Sequence, residues 1–528
     1  MLTIMSGVLV ALVLAPALMA VVAFTAGRTF PRVAGRLGAA TAGFGFIGAV
    51  ALTVSAARGD AVTTGLGPVT LTADRLAVVL LLLVFGVSTI VQAFAVRYLT
   101  GDARAHWFAG GAGLLTAASA GLMTVDTLIG LAVFWSVAGL ALLLLLGMYW
   151  HLPAARDGVR RTAIAFALGD LALWTGVALA TATWGTIDLR ALTPGQYDGA
   201  VVAVLALLVV VAALSRSAQI PFHRWLPATL AAPTPVSALL HAGVVNAGGI
   251  LLVRLAPLAS DDAARVLTVL AGAATMAYGA LIMLVKPDIK GALVNSTTAQ
   301  MGFMILTCGL GLWAAAIIHL VAHGFYKATL FLSSGSAIAA QRRHEALPPT
   351  QRPTRAQQGL RLAAAVALPA AALAAALVLL PLPAGDHTAE HALLLFAWVT
   401  GAAVVSGWLR RRPGLTGTLS AAALLIPAAL AYVAIINTVS GFLFPVLPPE
   451  ELPVAAVWIV TAAAVIALGA LAAARWAPGA ERLRLALYAH ALSAGHIPAP
   501  APSIPTASTP TTSTSTGPRS AQLTGARK

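Results

Sequence analysis

Residues 215–255 read SRSAQIPFHRWLPATLAAPTPVSALLHAGVVNAGGILLVRL. The segments on either side are apolar enough for helices. Pro221 and Pro227, however, each remove a backbone donor and crowd the preceding turn, so no smooth helix runs through them. The same run holds Arg216 and His241 among apolar neighbours. In a bilayer, a broken helix is tolerated only where protein buries it or where it lines a cavity, and such breaks mark transport sites. The stretch therefore reads as the interior of a membrane protein.

The rest of the chain agrees. Of 528 residues, 59% are hydrophobic and 9% charged, where a soluble domain carries about 25% charged. A soluble chain so composed lacks the polar residues to cover its surface. A helix needs about 20 apolar residues to cross the hydrocarbon core. Such stretches fall at 4–26, 36–57, 75–97, 107–124, 127–149, 162–183, 200–218, 235–256, 264–285, 289–310, 312–338, 361–382, 391–409, 418–442 and 453–474. The pattern predicts an all-α, polytopic membrane protein of about 13–15 transmembrane helices.

The net charge of +15 is distributed as a topology signal, not as a nucleic-acid footprint. Basic residues follow the odd-numbered spans: Arg28, Arg32 and Arg36; Arg97 and Arg104; Arg156, Arg160 and Arg161; His223 and Arg224; Lys286 and Lys290; Arg342 to Arg355; Arg410 to Arg412; Arg475 to Arg484. The alternate connections carry Asp60, Asp126, Asp188, Asp261, Asp262, Glu450 and Glu451. Because cytoplasmic loops are enriched in Lys and Arg, the N-terminus is expected outside and the C-terminus inside, in the inner (plasma) membrane. The first apolar stretch lacks a basic leader and reads as an uncleaved span. Cys308, the only cysteine, permits no internal disulfide and no thiolate cluster. No phosphate loop, dinucleotide fingerprint or paired CxxC occurs, so no cofactor is expected in this chain. Residues 496–528, rich in Pro, Ser and Thr, read as a disordered tail.

Ionisable groups within the spans are costly and usually functional. The candidates for an ion pathway are Asp170, Arg216, His241, His319, His323 and Lys327. The last three repeat at i, i+4, i+8 and so share one helix face. His319 and His323 read as a proton or ion relay, since histidine titrates near neutral pH. They also read as a zinc pair, or as packing residues. Asp170 and Arg216 read as opposite-charge partners, functional or purely structural. Asn246, Asn295, Thr298 and Gln300 supply polar support, the last three from the patch Asn295-Ser296-Thr297-Thr298 and Gln300.

Residues 215–255, with DIKGALVNSTTAQMGFM at 288–304 and HLVAHGFYKATLFLSSGSAI at 319–338, resemble the proton-translocating antiporter-like family. That family includes the large membrane subunits of respiratory complex I and of multisubunit sodium/proton antiporters. Weaker matches are Asp74-Arg75-Leu76 and the stretch from Phe166 to Asp170, so the resemblance covers about 70–340. It implies a fold of two inverted five-helix repeats with broken helices. There are departures. The family's pumping members pair a glutamate with a lysine, whereas the matching positions here hold Ser136 and Arg216. Arginine stays protonated in proteins and cannot cycle a proton. No counterpart of the second-half lysine or glutamate is found beyond residue 360.

One branch fits better. Residues 221–227, 237–249 and LRLALYAHALSAG at 483–495 are similar to the membrane subunit of the DAB-type inorganic carbon transporters. That resemblance implies a large, soluble, zinc-containing partner like a β-carbonic anhydrase, and an H+ or Na+ gradient that drives hydration of CO2 to bicarbonate. The alternatives are a membrane subunit of an NADH-quinone oxidoreductase and one of a multisubunit Na+/H+ antiporter. The expected organisation is N-terminal spans at 1–70, an antiporter-like core at 71–340, a basic cytoplasmic loop at 341–360, C-terminal spans at 361–475, an amphipathic segment at 476–495, then the tail.

Overall fold

The apolar runs fold as helices in the computed structural model. It describes residues 2–66, 69–193, 196–197, 199–258, 261–286, 288–336, 354–382, 387–447, 458 and 481–494. In chain order they are α1 (Leu2–Thr25), α2 (Pro31–Ala57), α3 (Arg75–Tyr98), α4 (Ala105–Thr124), α5 (Leu128–Leu146), α6 (Pro153–Trp184), α7 (Ala200–Arg216), α8 (Thr234–Ala242) and α9 (Ala247–Arg254). Then come α10 (Asp262–Val285), α11 (Ile289–Gly309), α12 (Trp313–Leu332), α13 (Arg355–Leu379), α14 (Thr388–Arg411), α15 (Leu415–Leu443) and α16 (Glu481–Ala494). Short polar residues set several starts by accepting orphan backbone N–H groups: Asp74 for α3, Thr127 for α5, Asp261 for α10 and Asp288 for α11.

Among the described residues, eleven helices are long and apolar enough to cross a membrane, with α8 and α9 together forming one of them. Large apolar side chains face outward along them, such as Phe44 at 74%, Leu171 at 66% and Val378 at 81% exposure. Water would penalise that surface, and lipid matches it. The expected spans at 107–124 and 289–310 are present as α4 and α11, whose small and polar residues make them less apolar. The one at 200–218 is the 17-residue α7. The expected span at 453–474, apart from Trp458, residues 341–353 of the basic loop and the tail at 496–528 lie outside the described residues.

The structure differs from the sequence reading in three places. α6 starts at Pro153, well before 162, because the basic residues of its first turns stay helical, with Arg161 paired to Asp157 at 2.7 Å. An antiparallel hairpin, β1 (Val62–Leu66) and β2 (Val69–Ala73), fills the connection between α2 and α3. Its Thr72 donates to Asp126 at 2.5 Å. Burial pushes the Asp126 carboxyl above its usual range, against the lowering by Thr72 and by Arg190. Third, the span expected at 235–256 is two helices, not one: α8 ends at Ala242, and Gly243 leads into a 3-10 turn at Val244–Asn246 before α9.

The broken segment is the centre of the fold. In the most apolar 18-residue stretch of Thr234–Arg254, 94% of the residues are buried, against 22% in the corresponding stretches of α13, α14 and α15. α8 packs against α3 and α12, and α9 against α7, α11 and α12. α13, α14 and α15 pack on one another and join the rest largely through α12.

Candidate functional site

Two breaks meet at this centre. α7 ends at Arg216; Ala218 takes a left-handed conformation (φ 51°), the Ile220–Pro221 bond is cis, and 3-10 turns follow at His223–Trp225 and Pro227–Ala231. Pro221 and Pro227 thus lie in a non-helical connection beyond the end of α7. Side chains satisfy the carbonyls that the breaks release. Trp225 Nε1 donates to Ser215 O at 3.0 Å, Ser217 Oγ to Val245 O at 2.6 Å, and Asn246 Nδ2 to Ala242 O at 2.8 Å. Lys290 Nζ donates to Leu230 O at 2.8 Å and Ala232 O at 2.6 Å. Irregular backbone at membrane depth requires such partners. The Ser217–Val245 bond ties one break to the other.

Arg216 and Asp170 form an ion pair with Nη2 to Oδ1 at 2.8 Å. Arg216 is fully buried, with its guanidinium 4.3 Å from the Trp135 ring centre and 4.2 Å from that of Phe166. Its Nη1 donates to Trp135 O at 3.1 Å, and the Trp135 indole N–H donates to the same Asp170 oxygen at 2.8 Å. Gly139 makes room for the guanidinium: a Cβ there would lie 3.0 Å from Nη2. Sequence reasoning found the pair but missed the aromatic walls. Ser136 lies apart from the pair, its hydroxyl accepting from Trp174 at 3.1 Å. The carboxylate that neutralises Arg216 comes from α6, not α5.

The second cluster lies on α12. His319 and His323 stack with ring centres 5.8 Å apart. His241 stacks on Phe331 at 4.3 Å, and Lys327 Nζ donates to Ser296 Oγ at 2.5 Å. α12 reaches α8 because residue 324 is glycine; a Cβ there would sit 2.9 Å from Ala242 O. All four candidates are buried. Among the described residues, both ring nitrogens of His323, Nδ1 of His241 and Nε2 of His319 have no hydrogen-bond partner. His319 packs between Phe303 at 5.0 Å and Phe396 at 5.3 Å. Among the described residues, no group of three His, Cys, Asp or Glu side chains gathers as a metal site would.

The polar patch on α11 is turned largely on its own backbone. Asn295 Nδ2 donates to Gly291 O at 2.9 Å and Thr298 Oγ1 to Val294 O at 3.4 Å. Ser296 alone of the consecutive run reaches the row. Gln300 Oε1 and Asn246 Oδ1 are buried without partners among the described residues. A cavity of about 60 Å³, room for a few waters, lies beside the first cluster and the break between α8 and α9, with Arg216, Gly243 and Asn246 among its lining residues.

A family model described as NADH:quinone oxidoreductase/Mrp antiporter, transmembrane, matches residues 126–407. One for the N-terminus of chain 5 of complex I matches residues 67–109. The chain is 36% identical over 354 residues to a probable inorganic carbon transporter subunit, DabB1, of Halothiobacillus neapolitanus, covering 63% of each chain. It is 38% identical over 273 residues to NADH-quinone oxidoreductase subunit L of Mycobacterium tuberculosis, covering 51% of this chain and 43% of that one. The match thus spans less than two thirds of either relative. Among solved structures, a chain of the Mrp complex from Dietzia sp. superposes with a TM-score of 0.57 at 25% identity, over 92% of this chain and 61% of that one.

Proposed function

We propose that this chain, which belongs to the NADH:quinone oxidoreductase/Mrp antiporter transmembrane family, is the cation-conducting membrane subunit of an energy-coupled inorganic carbon uptake pump. The observation that carries conduction is the row of buried imidazoles with free ring nitrogens, ending at Lys327 beside a broken helix. Titratable groups without fixed partners can pass protons or coordinate a cation; hydrogen-bonded packing histidines would be satisfied. Two points support the carbon branch. Arg216 is locked by Asp170, Trp135 and Phe166 as a fixed charge, unsuited to a cycling pump site. A 36% identical relative is named as a probable inorganic carbon transporter subunit. The partner on this reading is a soluble zinc-containing subunit like a carbonic anhydrase, and the driving ion is H+ or Na+. The second reading, a pumping subunit of an NADH-quinone oxidoreductase or Mrp-type antiporter, is favoured by the subunit L match and the Mrp superposition.

Co-expression with a soluble zinc-containing partner of this kind should restore growth in low CO2 to a host lacking carbonic anhydrase, and collapsing the ion gradient should abolish the rescue. Rescue that survives collapse of both the H+ and the Na+ gradient, or that needs redox subunits, would reject the pump.

The loop charges orient the chain with Arg28, Arg104 and the 342–355 loop in the cytoplasm of the cell and the N-terminus outside. A cysteine placed in the 342–355 loop should resist an impermeant thiol label on intact cells, and one near Glu450 should react. The reverse pattern would invert the topology.

A further inference from the structure

α3 is apolar along most of its length, yet it buries Ser88 and Gln92 one turn apart. Gln92 Nε2 donates to Ser88 Oγ at 2.8 Å, and Ser88 Oγ lies 2.7 Å from Thr116 Oγ1 on α4. Thr116 in turn donates to Ala112 O at 2.7 Å. All three side chains are 2–4% exposed. Among the described residues, Gln92 Oε1 has no partner. Buried polar atoms find partners, and where protein gives none, water does.

Both ends of this ladder meet a cavity. Gln92 lines one of about 420 Å³ whose rim includes exposed Arg32 and Thr100, at the basic end of the helices. Ser88 and Thr116 line the inner cavity of about 60 Å³ that reaches Arg216 and Asn246. We propose that Gln92, Ser88 and Thr116 form a gate through which water and small cations pass between the basic end and the inner cavity beside Arg216. The hydroxyls touch each other directly, so the gate is closed in this structure, and side-chain rotation about α3 and α4 opens it. The purpose of the gate rests on the conducting role proposed above; its existence does not.

The test uses silver ion, a cation of about the size of sodium that caps thiols. Cys308, the only native cysteine, is buried and is removed as Cys308→Ala. Ser119→Cys then reports on the inner cavity and Thr100→Cys on the outer rim. Silver is added to the basic face of membrane vesicles, and uncapped thiols are counted after denaturation. We expect capping at both positions in the parent background. Gln92→Leu, and independently the isosteric Thr116→Val, should slow capping at 119 at least tenfold while leaving position 100 unchanged, and Gln92→Asn should restore it. Equal capping at 119 with and without Gln92→Leu and Thr116→Val overturns the gate, as does an unreactive 119 in a parent whose position 100 reacts. Since the readout is thiol capping, a gate that passes these tests in a chain that moves no carbon refutes only the proposed function.

Discussion

Asp170→Asn should lower the stability of the chain by about 3–5 kcal/mol, the usual cost of stranding one member of a buried ion pair. Arg216→Gln should cost less, and the double change less than Asp170→Asn alone. The asymmetry follows from burial. Arg216 is 1% exposed and Asp170 25%, so the guanidinium is the harder of the two to solvate once its partner is gone. It keeps the Trp135 carbonyl, the two ring faces and at most a neutral amide acceptor, none of which compensates its charge as the carboxylate did. The reverse change leaves a carboxylate that still accepts from the Trp135 indole and touches solvent. Removing both charges leaves neutral side chains of similar volume, the substitution that buried pairs tolerate well. Arg216→Lys keeps the charge but loses the planar fork that bridges Asp170 and Trp135, so it should fall between parent and Arg216→Gln. Membrane yield and thermal unfolding in detergent measure the series. A double variant no more stable than Asp170→Asn would mean that the 2.8 Å contact contributes nothing.

That pair was legible in the sequence because a carboxylate and a guanidinium inside apolar runs have few ways to be neutralised. The helices were legible for a related reason: about 20 apolar residues cross a bilayer, and soluble folds do not need such runs. The second break was not. Ala242-Gly243-Val244-Val245-Asn246 is as apolar as a helix interior and holds no proline. Its kink is a tertiary effect, since the released carbonyls are taken by Ser217 and Asn246. Only packing against α7 makes that arrangement favourable. The hairpin at Val62–Leu66 and Val69–Ala73 was hidden by its shortness, for five-residue strands carry little periodicity. Ser88 and Gln92 were overlooked because single neutral polar residues barely change the hydropathy of a span. Their i, i+4 spacing was the available signal. On α11 the opposite happened. Asn295 and Thr298 read as polar support for the pathway, but each bonds a carbonyl of its own helix, the local alternative open to such side chains.

His323→Ala and Lys327→Ala should each reduce gradient-driven activity at least tenfold, about 1.4 kcal/mol in barrier, while insertion and partner binding persist. His323 bridges the row. With it removed, His319 and Lys327 stand eight residues apart, about 12 Å along the helix at 1.5 Å per residue, too far for one bridging water. The structural penalty of these changes is small by comparison. Neither ring nitrogen of His323 holds a hydrogen bond in the described structure, so no partner is orphaned. Ser296, which accepts from Lys327, still donates to Leu293 O at 2.7 Å when the lysine is gone. Volume is the remaining concern, and His323→Leu answers it by filling the site with an apolar side chain that cannot carry a proton. The leucine variant should be as inactive as the alanine variant and more stable. Growth in low CO2 of a host lacking carbonic anhydrase, with a pull-down of the soluble partner alongside, separates loss of conduction from loss of assembly. If His323→Leu and Lys327→Ala both support growth like the parent, the row is packing and the ion crosses elsewhere.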